Sequence, residues 1–103
     1  MEDAKPVLIT TIYHPKAGLE AEFLKIWRNK LARLAYYMGS DDVHIYHNEV
    51  TDEFLASIHW SSRTLASIFL ESMEFRDVVT VINVFCLIPS SKESFEILTE
   101  RAA

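Results

Sequence analysis

Hydrophobic and polar positions follow two different periods along the first half of the chain. Residues 7–13 are mostly β-branched, apolar or aromatic and predict a first strand. Both alternating faces of this strand are largely apolar, so the sheet is expected to need a cover on each side. Over residues 19–38, apolar residues instead recur at spacings of three and four. This pattern predicts an amphipathic helix that ends at Gly39.

Two further strands are predicted over residues 43–50 and 53–60, joined by a tight loop of Thr51 and Asp52. Such a loop fixes the register, so that particular side chains face each other across the hairpin. One face is then mainly apolar, and the other has a polar centre. The pairs expected on the polar face are His44 with His59, Tyr46 with Ser57, and Asn48 with Leu55.

The second half of the chain predicts two helices and a closing strand. Ser61 or Ser62 is expected to cap the first helix, and a shorter one is predicted over residues 75–83. Residues 78–85 are also compatible with a strand because they are rich in β-branched side chains. Residues 94–100 alternate and predict the last strand. The order β-α-β-β-α-(α)-β is that of a ferredoxin-like α+β fold with an antiparallel sheet.

Composition limits the classes of function. The 103 residues predict a single domain over 1–103, and half of them are hydrophobic, which is enough for a core. The net charge of -5 argues against a nucleic-acid partner. No apolar run predicts a membrane span or signal peptide, and the lone Cys86 fits a reducing cytoplasm. A chain this short also favours self-association.

The polar face of the predicted hairpin carries the candidate chemistry. Two imidazoles, His44 and His59, beside Tyr46, Asn48 and Ser57 are suited to proton transfer. A polar patch at a subunit interface is the other interpretation, because Tyr and His are common there. A metal site is not expected. Nothing on that face completes a set of ligands for the two histidines.

Several short motifs resemble those of the antibiotic biosynthesis monooxygenase family, in the dimeric α+β-barrel superfamily. The resemblance covers nearly the whole chain. It lies in the turn His14-Pro15-Lys16-Ala17-Gly18 followed by Phe23 and Trp27, in His59-Trp60 at a strand end, and in Glu71-Ser72-Met73-Glu74-Phe75.

The resemblance implies a homodimer whose sheets close a barrel, and a monooxygenase that acts on a small aromatic or quinol-type substrate without a metal, a flavin or any other cofactor. A phenol must then be bound, deprotonated and held as its anion. The predicted catalytic residues are His59 and His44, and the predicted substrate-binding residues are Tyr46, Asn48, Ser57, Trp60 and Tyr36.

A non-enzymatic, ligand-binding or stress-related dimer of the same fold is the alternative. An enclosed cavity with converging polar groups would favour the enzyme, and a filled core would favour the alternative. Haem breakdown, known from another branch of the superfamily, is not expected. The residues that it uses there fall near Thr11, Phe69 and Val79, and none of the three matches.

Overall fold

A computed structural model describes residues 5–97, which form three helices and one four-stranded antiparallel sheet. The first helix, α1, is continuous through Glu20–Ile26, Trp27–Ala32 and Arg33–Tyr37. The other elements are β1 (Val7–Tyr13), β2 (Asp42–His47), β3 (Phe54–Trp60), α2 (Arg63–Glu71), α3 (Met73–Val84) and β4 (Ser91–Glu96).

The strand order β2-β3-β1-β4, with every neighbouring pair antiparallel, confirms the ferredoxin-like α+β fold. The ambiguous segment over residues 78–85 is helical as far as Val84. The closing strand begins earlier than predicted, at Ser91, and ends at Glu96. Residues 98–100 of the predicted strand lie outside the described residues. None of the described helices is both long and apolar enough to cross a membrane.

Helix α1 packs on the sheet through side chains spaced four residues apart. Phe23, Trp27, Leu31 and Ala35 are all buried. The middle segment, Trp27–Ala32, has the wider turns of a π-helix, which are uncommon within α-helices. The helix ends at Tyr37, and Gly39 two residues later has a φ of 106°, a left-handed conformation that glycine adopts at little cost.

A single serine separates α2 from α3. The Ser72 hydroxyl donates a hydrogen bond to the Phe69 carbonyl at 2.8 Å and accepts one from the Phe75 N–H at 3.1 Å. It therefore satisfies the end of one helix and the start of the next. Ser62 caps α2 in the same way by accepting from the Leu65 N–H at 3.3 Å.

The helices cover one face of the sheet and leave the other open. On the covered face, alternate residues of β1 and β3 are buried, among them Ile9, Ile58 and Trp60. The intervening residues keep part of their surface exposed. We call this second surface the open face; its central members are Leu8, Thr10, Ile12, Asp42, His44, Tyr46, Leu55, Ser57, His59 and Phe95.

The register predicted for the hairpin is wrong by two residues. His44 lies opposite Ser57, and His59 lies opposite Asp42. The predicted two-residue loop is replaced by four residues, 49–52, because the Asn48 side chain accepts hydrogen bonds from the N–H groups of Val50 and Thr51. A shift of two residues leaves every side chain on the face that was predicted for it.

Tyr13 is a core residue with an ionisable group on the covered face. Only 2% of its surface is exposed, and its ring packs against Phe23 with centroids 5.1 Å apart. Burial strips the phenolate of hydration and raises the pKa of Tyr13 to about 12, although Trp27 and Thr11 lie close enough to favour the anion. The core therefore holds this hydroxyl in its neutral form.

This shift predicts a loss of stability at alkaline pH. The unfolded chain ionises Tyr13 near 10.0 and the folded chain near 12, so its contribution is complete below pH 10 and falls as the pH rises towards 12. Between about pH 8 and about pH 11.5, the free energy of unfolding should fall by about 2 kcal/mol more in the wild type than in Tyr13→Phe.

Urea unfolding of both proteins at the two pH values measures this difference. Tyr37→Phe is the control, because Tyr37 is 88% exposed and should leave the pH dependence unchanged. Equal pH dependence in wild type and Tyr13→Phe would contradict the burial argument.

Candidate functional site

The open face contains a trough with a volume of about 500 Å³. This is within the range of small-molecule sites, roughly 300–1,000 Å³. Strands β1, β2 and β3 each supply part of its wall. The trough is lined by Leu8, Asp41, Asp42, His44, Tyr46, Ser57 and His59.

His44 is held in the trough by a neighbour on its own strand. Asp42 is two residues earlier, on the same face, and its Oδ2 is 2.8 Å from His44 Nε2. The hydrogen bond from His44 is the main reason why the pKa of the Asp42 carboxyl lies below its usual value. The imidazole also stacks on Tyr46, with ring centroids 5.9 Å apart and planes 28° apart.

His59 is held by the other acidic residue of the trough. Its Nδ1 is 3.2 Å from Oδ2 of Asp41, and the Asp41 N–H donates to the His59 carbonyl at 2.9 Å. The opposite ring nitrogen, Nε2, is buried. His59 is also the less exposed of the two histidines, at 23% of the side chain compared with 51% for His44.

The two carboxylates orient the imidazoles in opposite senses. An ionised carboxylate only accepts hydrogen bonds, so the ring nitrogen that faces it carries the proton. Neutral His44 then has its lone pair on Nδ1, and neutral His59 has its lone pair on the buried Nε2. Of the two, His44 is the better placed to take a proton from a molecule in the trough.

The structure brings four of the predicted site residues together: His44, His59, Tyr46 and Ser57 all line the trough. Asn48 lies further along the face, in an adjoining hollow of about 340 Å³ that shares Tyr46 with the trough. Its side chain is engaged in the hairpin loop.

Two predicted substrate-binding residues lie elsewhere. Trp60 is fully buried on the covered face and packs against Phe69, with ring centroids 5.1 Å apart. Tyr36 lies near the end of α1, and its hydroxyl accepts a hydrogen bond from the Val43 N–H at 3.2 Å. Neither residue lines the trough.

Sequence reasoning did not assign Asp41 and Asp42 to the site. Both precede the strand predicted over residues 43–50, whereas in the structure Asp42 begins β2 and the Asp41 N–H donates a hydrogen bond to β3. One signal was available in the sequence. Asp42 and His44 are two residues apart, and a strand places such residues side by side on one face.

A cavity between the helices and the sheet is much smaller than the trough. It has a volume of about 90 Å³ and is lined by Thr11, Tyr13, Phe75, Val79, Ser90 and Lys92. Large side chains such as Trp60, Phe23 and Phe69 are fully or almost fully buried on the covered face. Among the described residues, no group of three or more His, Cys, Asp or Glu side chains is arranged to hold a metal ion.

The sequence and the fold were compared with those of known proteins. No family model matches the sequence, and no curated protein matches it either. Solved structures do match the fold. Rv0793 from Mycobacterium tuberculosis superposes with a TM-score of 0.78 at 12% identity, over 94% of this chain and 99% of that one.

Two further matches are oxygenases by name. SnoaB, a cofactor-independent oxygenase from Streptomyces nogalater, has a TM-score of 0.75 at 18% identity, over 97% of each chain. An antibiotic biosynthesis monooxygenase has a TM-score of 0.73 at 12% identity, over 90% of this chain and 99% of that one. The chain therefore has the fold of the antibiotic biosynthesis monooxygenase family, as its sequence motifs had implied.

Proposed function

We propose that the protein is a cofactor-independent monooxygenase that acts on a small aromatic or quinol-type substrate. One observation carries this proposal. The trough holds His44 with Nε2 bonded to a carboxylate at 2.8 Å, which leaves Nδ1 as a base beside a space of about 500 Å³. The similarity in fold to SnoaB, described as a cofactor-independent oxygenase, supports the same class of reaction.

The proposed reaction converts an aryl-activated CH2 group and O2 into a carbonyl group and water. Nδ1 of His44 takes a proton from the substrate, and the resulting anion gives one electron to O2. The substrate radical and superoxide then join in a carbon–oxygen bond, and the imidazolium returns the proton to form a hydroperoxide. The base then removes the second carbon-bound proton, and the O–O bond breaks with loss of hydroxide to give the carbonyl. The proton and the hydroxide combine to form water.

Hydroxyl donors in the trough are placed to stabilise the anion. Ser57 lies directly opposite His44 on β3, and Tyr46 stacks on the imidazole from two residues along β2. Both carry an O–H group that donates to a developing phenolate or enolate oxygen. Leu8 supplies apolar wall against which an aromatic ring packs.

The filled core favours a second candidate, a non-enzymatic protein that binds small ligands on the open face. The cavity between helices and sheet is about 90 Å³, too small for a substrate with several fused rings. In that case the trough binds aromatic compounds without consuming oxygen. Binding and oxygen uptake measured on the same compounds separate the two candidates.

We also propose that a second copy of the chain covers the open face. Its apolar residues include Leu55 and Phe95, which are 40% and 47% exposed, next to the partly exposed Leu8 and Ile12. A small protein gains burial by pairing such a surface with itself about a two-fold axis. The trough is open on that side, so a partner sheet would also enclose the substrate.

Oxygen uptake with anthrone-type phenols, without added metal or flavin, tests the proposed reaction. His44→Gln should lower turnover by about a hundredfold, as is usual when a general base is removed. His14→Gln is the matched control: it also removes a histidine paired with a carboxylate, Glu53 at 3.5 Å, but His14 does not line the trough.

His59→Gln distinguishes the two histidines. Because Nε2 of His59 is buried, this substitution should reduce turnover less than His44→Gln does. Wild-type protein that consumes no oxygen with a panel of phenols would overturn the proposed reaction. Full activity in His44→Gln would remove His44 as the base.

The proposed dimer predicts a particle of two 11.9 kDa chains by light scattering at low micromolar concentration. Leu55→Asp should dissociate it by placing a charge among the apolar residues of the open face. Ile68→Asp is the matched control, because Ile68 is 51% exposed but lies on α2, which packs on the other side of the sheet. A monomeric wild type, or equal dissociation by both variants, would contradict the assignment of this interface.

A further inference from the structure

We propose that Asp42 is a positioning residue, which fixes the protonated nitrogen and the orientation of the His44 ring so that Nδ1 faces the substrate as a base. This inference rests on the proposed function and adds to it a residue that does not itself touch the reacting atoms. Its first consequence, the proton position on His44, can be measured whether or not the protein is an oxygenase.

The Asp42 carboxylate is held at both oxygens. Oδ1 accepts a hydrogen bond from the Val43 N–H at 3.1 Å, and Oδ2 lies 2.8 Å from Nε2 of His44. The backbone bond fixes the direction of the carboxylate, and β2 places its Cβ on the same face as that of His44. Stacking on the Tyr46 ring further restricts rotation of the His44 imidazole. These contacts together define one orientation of the imidazole.

The charge on Asp42 decides which nitrogen of His44 is protonated. The pKa of this carboxyl is held below its usual value, chiefly by the hydrogen bond from His44, so it is ionised at neutral pH. An ionised carboxylate has no proton to donate, and Nε2 must therefore supply one. In the neutral ring, Nδ1 is left with the lone pair.

Asp41 and His59, the other acidic pair of the trough, have the opposite orientation. There the carboxylate bonds Nδ1, at 3.2 Å, and the lone pair falls on a nitrogen that is buried. A third pair, Asp52 and His47, has its contact at Nε2 at 2.6 Å but lies outside the trough. This third pair provides a matched control.

Nitrogen-15 NMR of the histidine rings tests the proton position directly. In the wild type, His44 should give the signals of a ring protonated at Nε2 and unprotonated at Nδ1. In Asp42→Asn the amide both donates and accepts, so the two nitrogen signals should move towards each other as the tautomers mix. Asp52→Asn should change only the signals of His47. A wild-type ring protonated at Nδ1, or signals unchanged in Asp42→Asn, would overturn the proposal.

Kinetics test the consequence for the reaction. Asp42→Asn should lower kcat by about 10- to 100-fold, the range found when residues that orient metal-binding histidines are replaced. KM should change by less than about twofold. Asp42→Glu should recover part of the lost kcat because it restores the charged acceptor. Unchanged kcat in Asp42→Asn alongside mixed tautomers would also overturn the proposal. If the wild type consumes no oxygen, the proposed function fails, and the NMR result alone decides the role of Asp42.

Discussion

The packing of one layer of helices on one face of a small sheet determines the rest of this structure. Strands β1 and β3 alternate strictly, and the helices bury one set of their side chains, including Ile9 and Trp60. With no second layer of helices in the described residues, the opposite set remains accessible. Polar side chains can persist there without a cost in the core. The location of the trough follows from this asymmetry.

The alternation of strands and the spacing of α1 were enough to predict the fold. Residues 7–13 form β1 as expected, and the helix expected over residues 19–38 covers Glu20–Tyr37 in its three segments. The hairpin register was not predictable in the same way. It depends on the side chain of Asn48 bonding two backbone N–H groups and on Asp52 adopting a left-handed φ of 64°. Both are local choices between loops of similar cost.

The sequence predicted which residues of the candidate site share one face of the sheet, but not which of their side chains form hydrogen bonds with each other. Period-two alternation placed His44, Tyr46, Ser57 and His59 on one surface, and an even shift in register could not separate them. Alternation does not reveal which ring nitrogen meets a carboxylate. That depends on side-chain rotamers, so the contacts of Asp41 with His59 and of Asp42 with His44 became apparent only in the three-dimensional arrangement. Trp60 belongs to the opposite face for the same period-two reason.

The π-helical segment of α1 determines which way the side chains of the following residues of this helix point. A spacing of four drifts steadily around an α-helix, because 3.6 residues complete a turn. The wider turns of Trp27–Ala32 drift in the opposite direction, which keeps Leu31 and Ala35 in line with Phe23. Ordinary α-helical turns over the same residues would rotate the last part of the helix by roughly 100° relative to Phe23. The π-helical segment thus keeps side chains spaced four residues apart on the side of α1 that packs against the sheet.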